Sequence, residues 1–399
     1  MFRKFRFSNN ELCPCNSGSL YKDCCKKKKP RQFHNNNEAL NHVGRMMKKS
    51  RVKFCLQEGC KAKAKDIIKA HALQKNRILN KLEVDKNVIM QDFTKDPIIC
   101  EIKPGKPEPF YFLTEVAISD ATVATCFCKT HDDALFAQIE KSQYNLENLD
   151  KEQLFLFAYK TFAFEMYTEI VSKKFQAIMF STVPQLAKQP LSVYQYRNIV
   201  LKLNDLQYYK NFFDKAIQEK DYTGIETIVL EIPYRIQFAN YMAVSPPFDI
   251  KGKKIKALDK KTKRLKFVFF TSFPIVESKS YILISVLKED LDVYRQYFEQ
   301  IRNAPLGLMQ YYINVFIPLY SQNLILSPSL WNSWSEMAQG GVQFAVADPH
   351  SVKLLKGLQF YMKNIAKAMK KGEIKIDSQS VAFDFFIPYK KFRTKERGT

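Results

Sequence analysis

Hydrophobic and polar positions change their period several times along this chain, and each change predicts a change of element. Between Lys151 and about Lys220 apolar residues recur at helical intervals. Leu154, Phe157, Phe162, Met166 and Ile170 define one stripe, and LNDLQYYKNFFDKAIQEK (203–220) repeats the habit. Such phenylalanines are expected to pack a core rather than to stack on bases. From 223 to 285 the pattern turns to β-branched and aromatic runs broken at prolines, GIETIVLEIPYRIQFANYMAV and LKFVFFTSFPIVESKSYILISVL, which predict strands. Helices are expected again over Lys288–Asn303, near Gly307–Leu319 and after the N-cap signal Ser327-Pro328-Ser329. A last helix over Ser351–Lys371, stopped by Gly372, and a last strand over VAFDFFIPY (381–389) complete that half.

The first third is less periodic. Helical stretches are expected at Glu38–Lys49 and Lys65–Leu82, with strands at Asn87–Met90, Phe110–Val116 and Ala121–Phe127. The fold class expected is therefore α+β, with small N-terminal modules ahead of a mixed helical and antiparallel-sheet domain.

Composition bounds this picture. The chain has 399 residues, 46% of them hydrophobic and 14% aromatic, enough for two or three domains with real cores. No apolar run has signal-peptide length or approaches the ~20 residues of a membrane span, so a cytoplasmic protein with no membrane partner is expected. The C-terminal region shows no nucleophile elbow, phosphate-binding glycine loop or paired carboxylates at a recognisable spacing, and only 12 glycines occur in the whole chain.

Charge is unevenly spread. Of the formal net charge of +23, +15 falls in residues 1–80, which hold 20 Lys/Arg against 5 Asp/Glu. Lys26, Lys27, Lys28, Lys29, Arg31, Lys48, Lys49 and Arg51 are the candidates there for contacting a polyanion, because neutralising phosphates releases condensed counterions. A second basic run, Lys251–Lys266, carries nine positive residues and one negative. In both places the competing explanation is that lysines keep the chain dissolved.

Cysteine placement supplies the sharpest chemistry. All nine cysteines lie between positions 13 and 128. Cys13, Cys15, Cys24 and Cys25 form two close pairs separated by eight residues, with the turn-forming Asn16-Ser17-Gly18 between them, a pattern that lets four thiolates surround a tetrahedral zinc at ~2.3 Å. Two disulfides are the alternative, disfavoured without a secretory context. A second half-site, Cys55 and Cys60, needs two more ligands. Cys128 and His131, three positions apart at the opening of an expected helix, are the best candidates. Knuckle, hairpin, then helix is the order of a treble-clef zinc fold. Cys126 would then face the core, and Cys100 is expected to be a small buried residue.

The stretch CPCNSGSLYKDCC resembles the SEC-C motif, a metal-binding module of the preprotein translocase ATPase tail and of many bacterial proteins. The resemblance implies zinc on Cys13, Cys15, Cys24 and Cys25, and a role in contacting partner proteins or ribosomes. Asn16, where the family usually has Gly, and Ser19 and Leu20, where lysines are common, depart from the pattern and put its usual contact surface in doubt. AHALQKNRIL (70–79), CFCKTHDDALFAQIE (126–140) and NLILSPSLW (323–331) are similar to bacterial proteins in which SEC-C precedes a treble-clef or HNH-like zinc domain. The likeness implies a layout: a SEC-C knuckle at 1–30, a basic linker at 31–50, a zinc domain at 51–148, a helical region at 149–222 and an α+β domain at 223–399.

His-Asn-His nucleases hold a water-activating histidine and a divalent metal on a treble-clef hairpin, and His71, Asn76 or Asn80, and His131-Asp132-Asp133 echo those parts. With His131 on zinc, His71 and Asp132 are the catalytic candidates, using Mg or Mn. The alternative makes His71 a hydrogen-bonded structural residue. The reading expected overall is a protein with two zinc ions that binds nucleic acid or ribosomes through its basic N-terminal region. A metal-dependent nuclease, as in anti-phage defence, and an adaptor that docks proteins through SEC-C are the alternatives.

Overall fold

The computed structural model describes residues 5–93, 95, 98–103, 106–142, 150–259, 263–276, 278–347, 359–360, 362–364, 367 and 383–388. The N-terminal knuckle leads into α1 (Asn36–Ser50). Six short strands follow: β1 (Ala70–His71), β2 (Asn87–Gln91), β3 (Ile98–Lys103), β4 (Lys106–Phe110), β5 (Leu113–Ala117) and β6 (Val123–Ala124). Two short helices, α2 (Lys129–Leu135) and α3 (Ala137–Glu140), precede a long helical hairpin of α4 (Lys151–Thr182) and α5 (Pro190–Glu219). Then come β7 (Ile225–Ile232), β8 (Phe238–Val244), β9 (Val268–Val276), β10 (Lys279–Leu287), α6 (Leu291–Arg302), α7 (Leu306–Tyr320), β11 (Leu324–Leu326), α8 (Pro328–Ser333) and α9 (Glu336–Ala347).

Seven strands join into one antiparallel sheet in the order β5-β2-β11-β8-β9-β10-β7. Both faces of its inner strands β8, β9 and β10 are buried. Phe269 and Phe273 of β9 point into a core shared with α4, while Val268 and Phe270 point into a second core under α6 and α7. This is why β8 and β9 read as continuous apolar runs instead of alternating with polar residues. On the α4 face Phe157 stacks on Phe273 with ring centroids 4.9 Å apart, and the Thr161 and Thr271 hydroxyls meet at 2.8 Å. On the other face Phe270 meets Phe316 at 5.6 Å. Strand β11 pairs with β8 on one side and, at Leu326 opposite Ile89, with β2 on the other, so the sheet draws β2 and β5 from the first third.

The expected α+β class holds, with mixed helices and antiparallel sheets. Five local expectations do not. Lys65–Leu82 is not a helix: Ala70 and His71 pair with Ala124 and Val123, and only Leu79–Lys81 makes a tight helical turn. The strand expected over Ala121–Phe127 shrinks to Val123–Ala124, after Thr122 adopts a left-handed φ of 57°. The stripe expected on α4 is too narrow, because residues 155–159 and 162–164 are buried on all sides between the sheet, the thiol-rich module and α5. The basic run Lys251–Lys266 is not all solvent-facing. Arg264 and Lys266 turn inward onto Asp290, with Arg264 Nη2 at 2.6 Å and Lys266 Nζ at 3.3 Å from its Oδ1.

Residues 383–388 form a turn in place of the expected strand, with Phe385 and Phe386 packed on Phe238. Most of the helix expected over Ser351–Lys371, with its stop at Gly372, lies outside the described residues, as do the rest of VAFDFFIPY and the Cys100 side chain.

Candidate metal centres

The first thiol cluster is built by local turns. The Cys13 N–H donates to Ser19 O at 2.8 Å and the Tyr21 N–H to Glu11 O at 2.9 Å, folding the chain back on itself. Asn16 and Gly18 take left-handed φ values of 59° and 77°, the backbone freedom those residue types supply. The ligand atoms of Cys13, Cys15, Cys24 and Cys25 all lie within 4.8 Å of one another. Cys15 Sγ is 3.4 Å from Cys13 Sγ and 3.5 Å from Cys24 Sγ. A tetrahedral zinc–thiolate centre has sulfur–sulfur edges of about 3.8 Å, so four sulfurs at these separations fit the ion with small adjustments.

Burial raises the Cys13 and Cys25 thiols above their ordinary range. Burial also opposes ionisation of Cys15, but hydrogen bonds from Ser17, Cys13 and Cys24 bring it down to about 7. A divalent cation is the partner that would let the buried thiols ionise together. When protonated, Cys25 donates to Phe180 O at 3.2 Å. As a metal-bound thiolate it has no proton to give, and the contact reduces to packing.

The knuckle is seated on the tip of the α4–α5 hairpin. Phe7, Cys13, Tyr21 and Cys25 share a small core with Phe180, Ala187 and Val193. Phe7 meets Phe180 at 5.6 Å and Tyr196 at 5.8 Å, both edge-on, and Arg197 bonds the carboxylate of Glu11 at 3.0 Å. Helix α1 docks beside it. Its N-cap Asn35 accepts from Glu38 N, and His42 Nε2 meets the Thr182 hydroxyl at 3.0 Å.

The second cluster gathers residues 76 positions apart. Phe54 and Leu56 donate to Thr125 O and Cys126 O, which holds the Cys55 strand against the segment leading to Cys128. Gly59 turns the knuckle at φ 70°. Cys128 stands at the N-cap of α2 and His131 one turn in, so His131 Nδ1 comes within 3.2 Å of Cys128 Sγ and 3.4 Å of Cys55 Sγ. Cys60 Sγ lies 3.9 Å from Cys128 Sγ, and the four ligand atoms fall within 4.8 Å of one another. Burial pushes the Cys55 thiol up to about 12, whereas the Ala62 N–H brings Cys60 below its ordinary value. Three thiols and one imidazole nitrogen suit zinc. Cys126 points the other way, fully buried in the core.

Residues 10–27 match the SEC-C motif. Neither curated proteins nor solved structures return a match to the chain. The SEC-C match and the two ligand clusters support metal binding, with donor sets of the kind zinc takes. Among the described residues no helix is long and apolar enough to cross a membrane.

His71 and Asp132 are not gathered with the thiols. His71 sits on β1, and its Nδ1–H donates to Ala121 O at 2.9 Å; burial holds its pKa below the usual imidazole value. Asp132 is buried in the first turn of α2, its Oδ1 has no hydrogen-bond partner among the described residues, and burial raises its carboxyl to about 6, against the pull of Lys160. Two residues passed over in the sequence join them. Lys160 of α4 is buried, pairs with Glu140 and lies 4.5 Å from the Phe136 ring centre, and both Lys160 and Glu140 act electrostatically on His71 and Asp132. A lysine on a helix that otherwise reads as core was the available signal.

The basic candidates divide. Lys26 donates to Asn9 at 2.8 Å, Lys27 pairs with Asp23 at 2.9 Å, and Arg31 stacks over Phe33 and lies 4.0 Å from Glu38. Lys28, Lys29, Lys48, Lys49 and Arg51 are exposed, with no carboxylate at ion-pair distance among the described residues.

Proposed function

We propose that this chain is a two-zinc protein that binds nucleic acid, free or within a ribosome, through its basic N-terminal region. The observation that carries this reading is the group of exposed cations at Lys28, Lys29, Lys48, Lys49 and Arg51, without an ion-pair partner among the described residues and set on the SEC-C tail and at the end of α1. Both elements are tied to the α4 end of the hairpin, so the charges ride on an ordered support. Cys55, Cys60, Cys128 and His131 form a treble-clef-like second zinc centre in this reading. Fluorescence anisotropy with labelled duplex and single-stranded oligonucleotides across a salt series tests it. Affinity falling linearly in log–log form with salt, and weakened when these five residues are exchanged for Gln, supports it. A salt-insensitive protein partner captured through SEC-C would overturn it in favour of an adaptor.

A second reading, metal-dependent hydrolysis of nucleic acid, is favoured by the placement of His71. Donation from Nδ1 to a backbone carbonyl fixes the ring and leaves Nε2 as the basic nitrogen, and a lowered pKa keeps it neutral at pH 7, as a general base requires. Asp132 is the carboxylate available for Mg or Mn. Cleavage of a plasmid or RNA substrate with Mg or Mn, lost in His71→Ala, tests this reading.

A further inference from the structure

We propose that the phosphate-contacting face includes a second set of lysines, Lys53, Lys61, Lys63 and Lys65, on the segments that frame the Cys55–Cys60–Cys128–His131 cluster. The inference rests on the nucleic-acid reading and adds to it the part of the surface that touches the backbone.

All four side chains are exposed, and none has a carboxylate at ion-pair distance among the described residues. Two exposed acids lie on the same segments, Glu58 and Asp66; the Asp66 carboxylate is engaged by the backbone, its Oδ2 accepting from Lys63 N at 2.9 Å. The loop is anchored at both ends. Ala62 N–H donates to Cys60 Sγ at 3.4 Å, and Ile67 bridges to Cys128. Metal bound by the cluster therefore fixes the lysines as well as the thiols, and less side-chain order is lost on binding than for charges on a free tail. Lys61 and Lys63 flank the half-buried Ala62, and both side chains are exposed.

Charge on the metal centres favours the same face. Zinc with four thiolates leaves a formal −2 at the SEC-C knuckle, where Lys27 is already paired with Asp23. Zinc with three thiolates and a neutral imidazole leaves only −1 beside Lys53, Lys61, Lys63 and Lys65.

The test uses the full zinc-loaded chain. Anisotropy titrations with a duplex DNA and a duplex RNA of the same sequence are run from low to high salt for the natural protein, for Lys61→Gln/Lys63→Gln/Lys65→Gln and for the matching triple exchange to Arg. Zinc per chain is measured for each. The Gln variant is expected to keep its zinc and to lose about 2–3 units of salt slope, at ~0.9 per lost phosphate contact, while the Arg variant keeps the natural slope. An unchanged slope in the Gln variant overturns this inference and leaves the parent reading standing. Loss of zinc or of slope in both variants also overturns it, because the lysines then matter for folding rather than for charge. Absence of salt-dependent binding by the natural protein overturns both.

Discussion

The phenol of Tyr21, inside the SEC-C knuckle, donates to the carbonyl oxygen of Ala187 at 3.3 Å across the buried joint with the α4–α5 hairpin. This contact makes the knuckle part of the body of the protein. One side of the module is therefore spent on intramolecular packing, and what it offers to partners is confined to the other side, where Leu12 is 70% exposed.

Removing that contact separates hydrogen bonding from packing. Tyr21→Phe keeps the ring against Phe7 and Phe180 and leaves the Ala187 carbonyl unpaired, so it is expected to cost about 1 kcal/mol in urea unfolding of the zinc-loaded protein. Tyr21→Ala also opens a cavity and is expected to cost about 3–5 kcal/mol, with faster amide exchange in residues 178–193. Equal costs for the two variants would show that the ring packing contributes nothing.

Metal content follows from the two clusters. The isolated protein is expected to carry about two zinc ions, Cys24→Ser about one and Cys60→Ser about one, by elemental analysis. The double variant is expected to carry none. Chelation should loosen each region separately, the tip of the hairpin in one case and the β1–β6 neighbourhood in the other, as read by hydrogen exchange. Zinc lost from both sites in either single variant would mean that the two centres fold as one unit.

His71 makes stability depend on pH in a direction that can be worked out. Burial lowers its folded pKa below the ~6.5 of the unfolded chain, so on acidification the unfolded state takes up the proton first. Its contribution is complete above pH 6.5 and is lost as pH falls through that value toward the folded pKa. Unfolding midpoints measured between pH 7.5 and 5.5 should fall less steeply for His71→Gln than for the natural protein. Parallel slopes would show that the imidazole titrates as it does in solvent.

The ligand pairs were legible because spacing within each pair is a local property, although Cys55 and Cys60 meet Cys128 and His131 only through the fold. Cys13 to Cys25 close on each other through one turn, and Cys128 and His131 meet because three positions make nearly one helical turn. Lys65–Leu82 misled because KAHALQKNRIL has high helix propensity, yet Ala70 and His71 gain more by pairing with Ala124 and Val123, residues more than 50 positions away. The same blindness to distant partners hid the pairing of Leu326 with Ile89 and the inward turn of Arg264 onto Asp290. Helix α4 showed only one apolar stripe in the sequence, whereas the structure buries residues 155–166 on every side.

Lys202 offers the most demanding test of the hairpin that carries the knuckle. Its ammonium lies 2.5 Å from Glu165 and 2.8 Å from Glu169, joining α5 to α4. Burial works against its charge, but the two carboxylates outweigh burial and raise its pKa; burial likewise raises Glu169, with Lys202 opposing. Lys202→Met leaves two carboxylates facing each other without a cation and is expected to cost about 3–5 kcal/mol at pH 7. In that variant the Glu169 carboxyl, already raised by burial, loses the cation that opposed the rise, so the fold is favoured when it is protonated. The loss should therefore be largest at pH 7 and shrink as pH falls toward 4. Adding Glu165→Gln and Glu169→Gln should restore most of the stability at pH 7, because no buried charge is then left unpaired. A triple variant as unstable as Lys202→Met would show that the unpaired carboxylates are not the source of the loss.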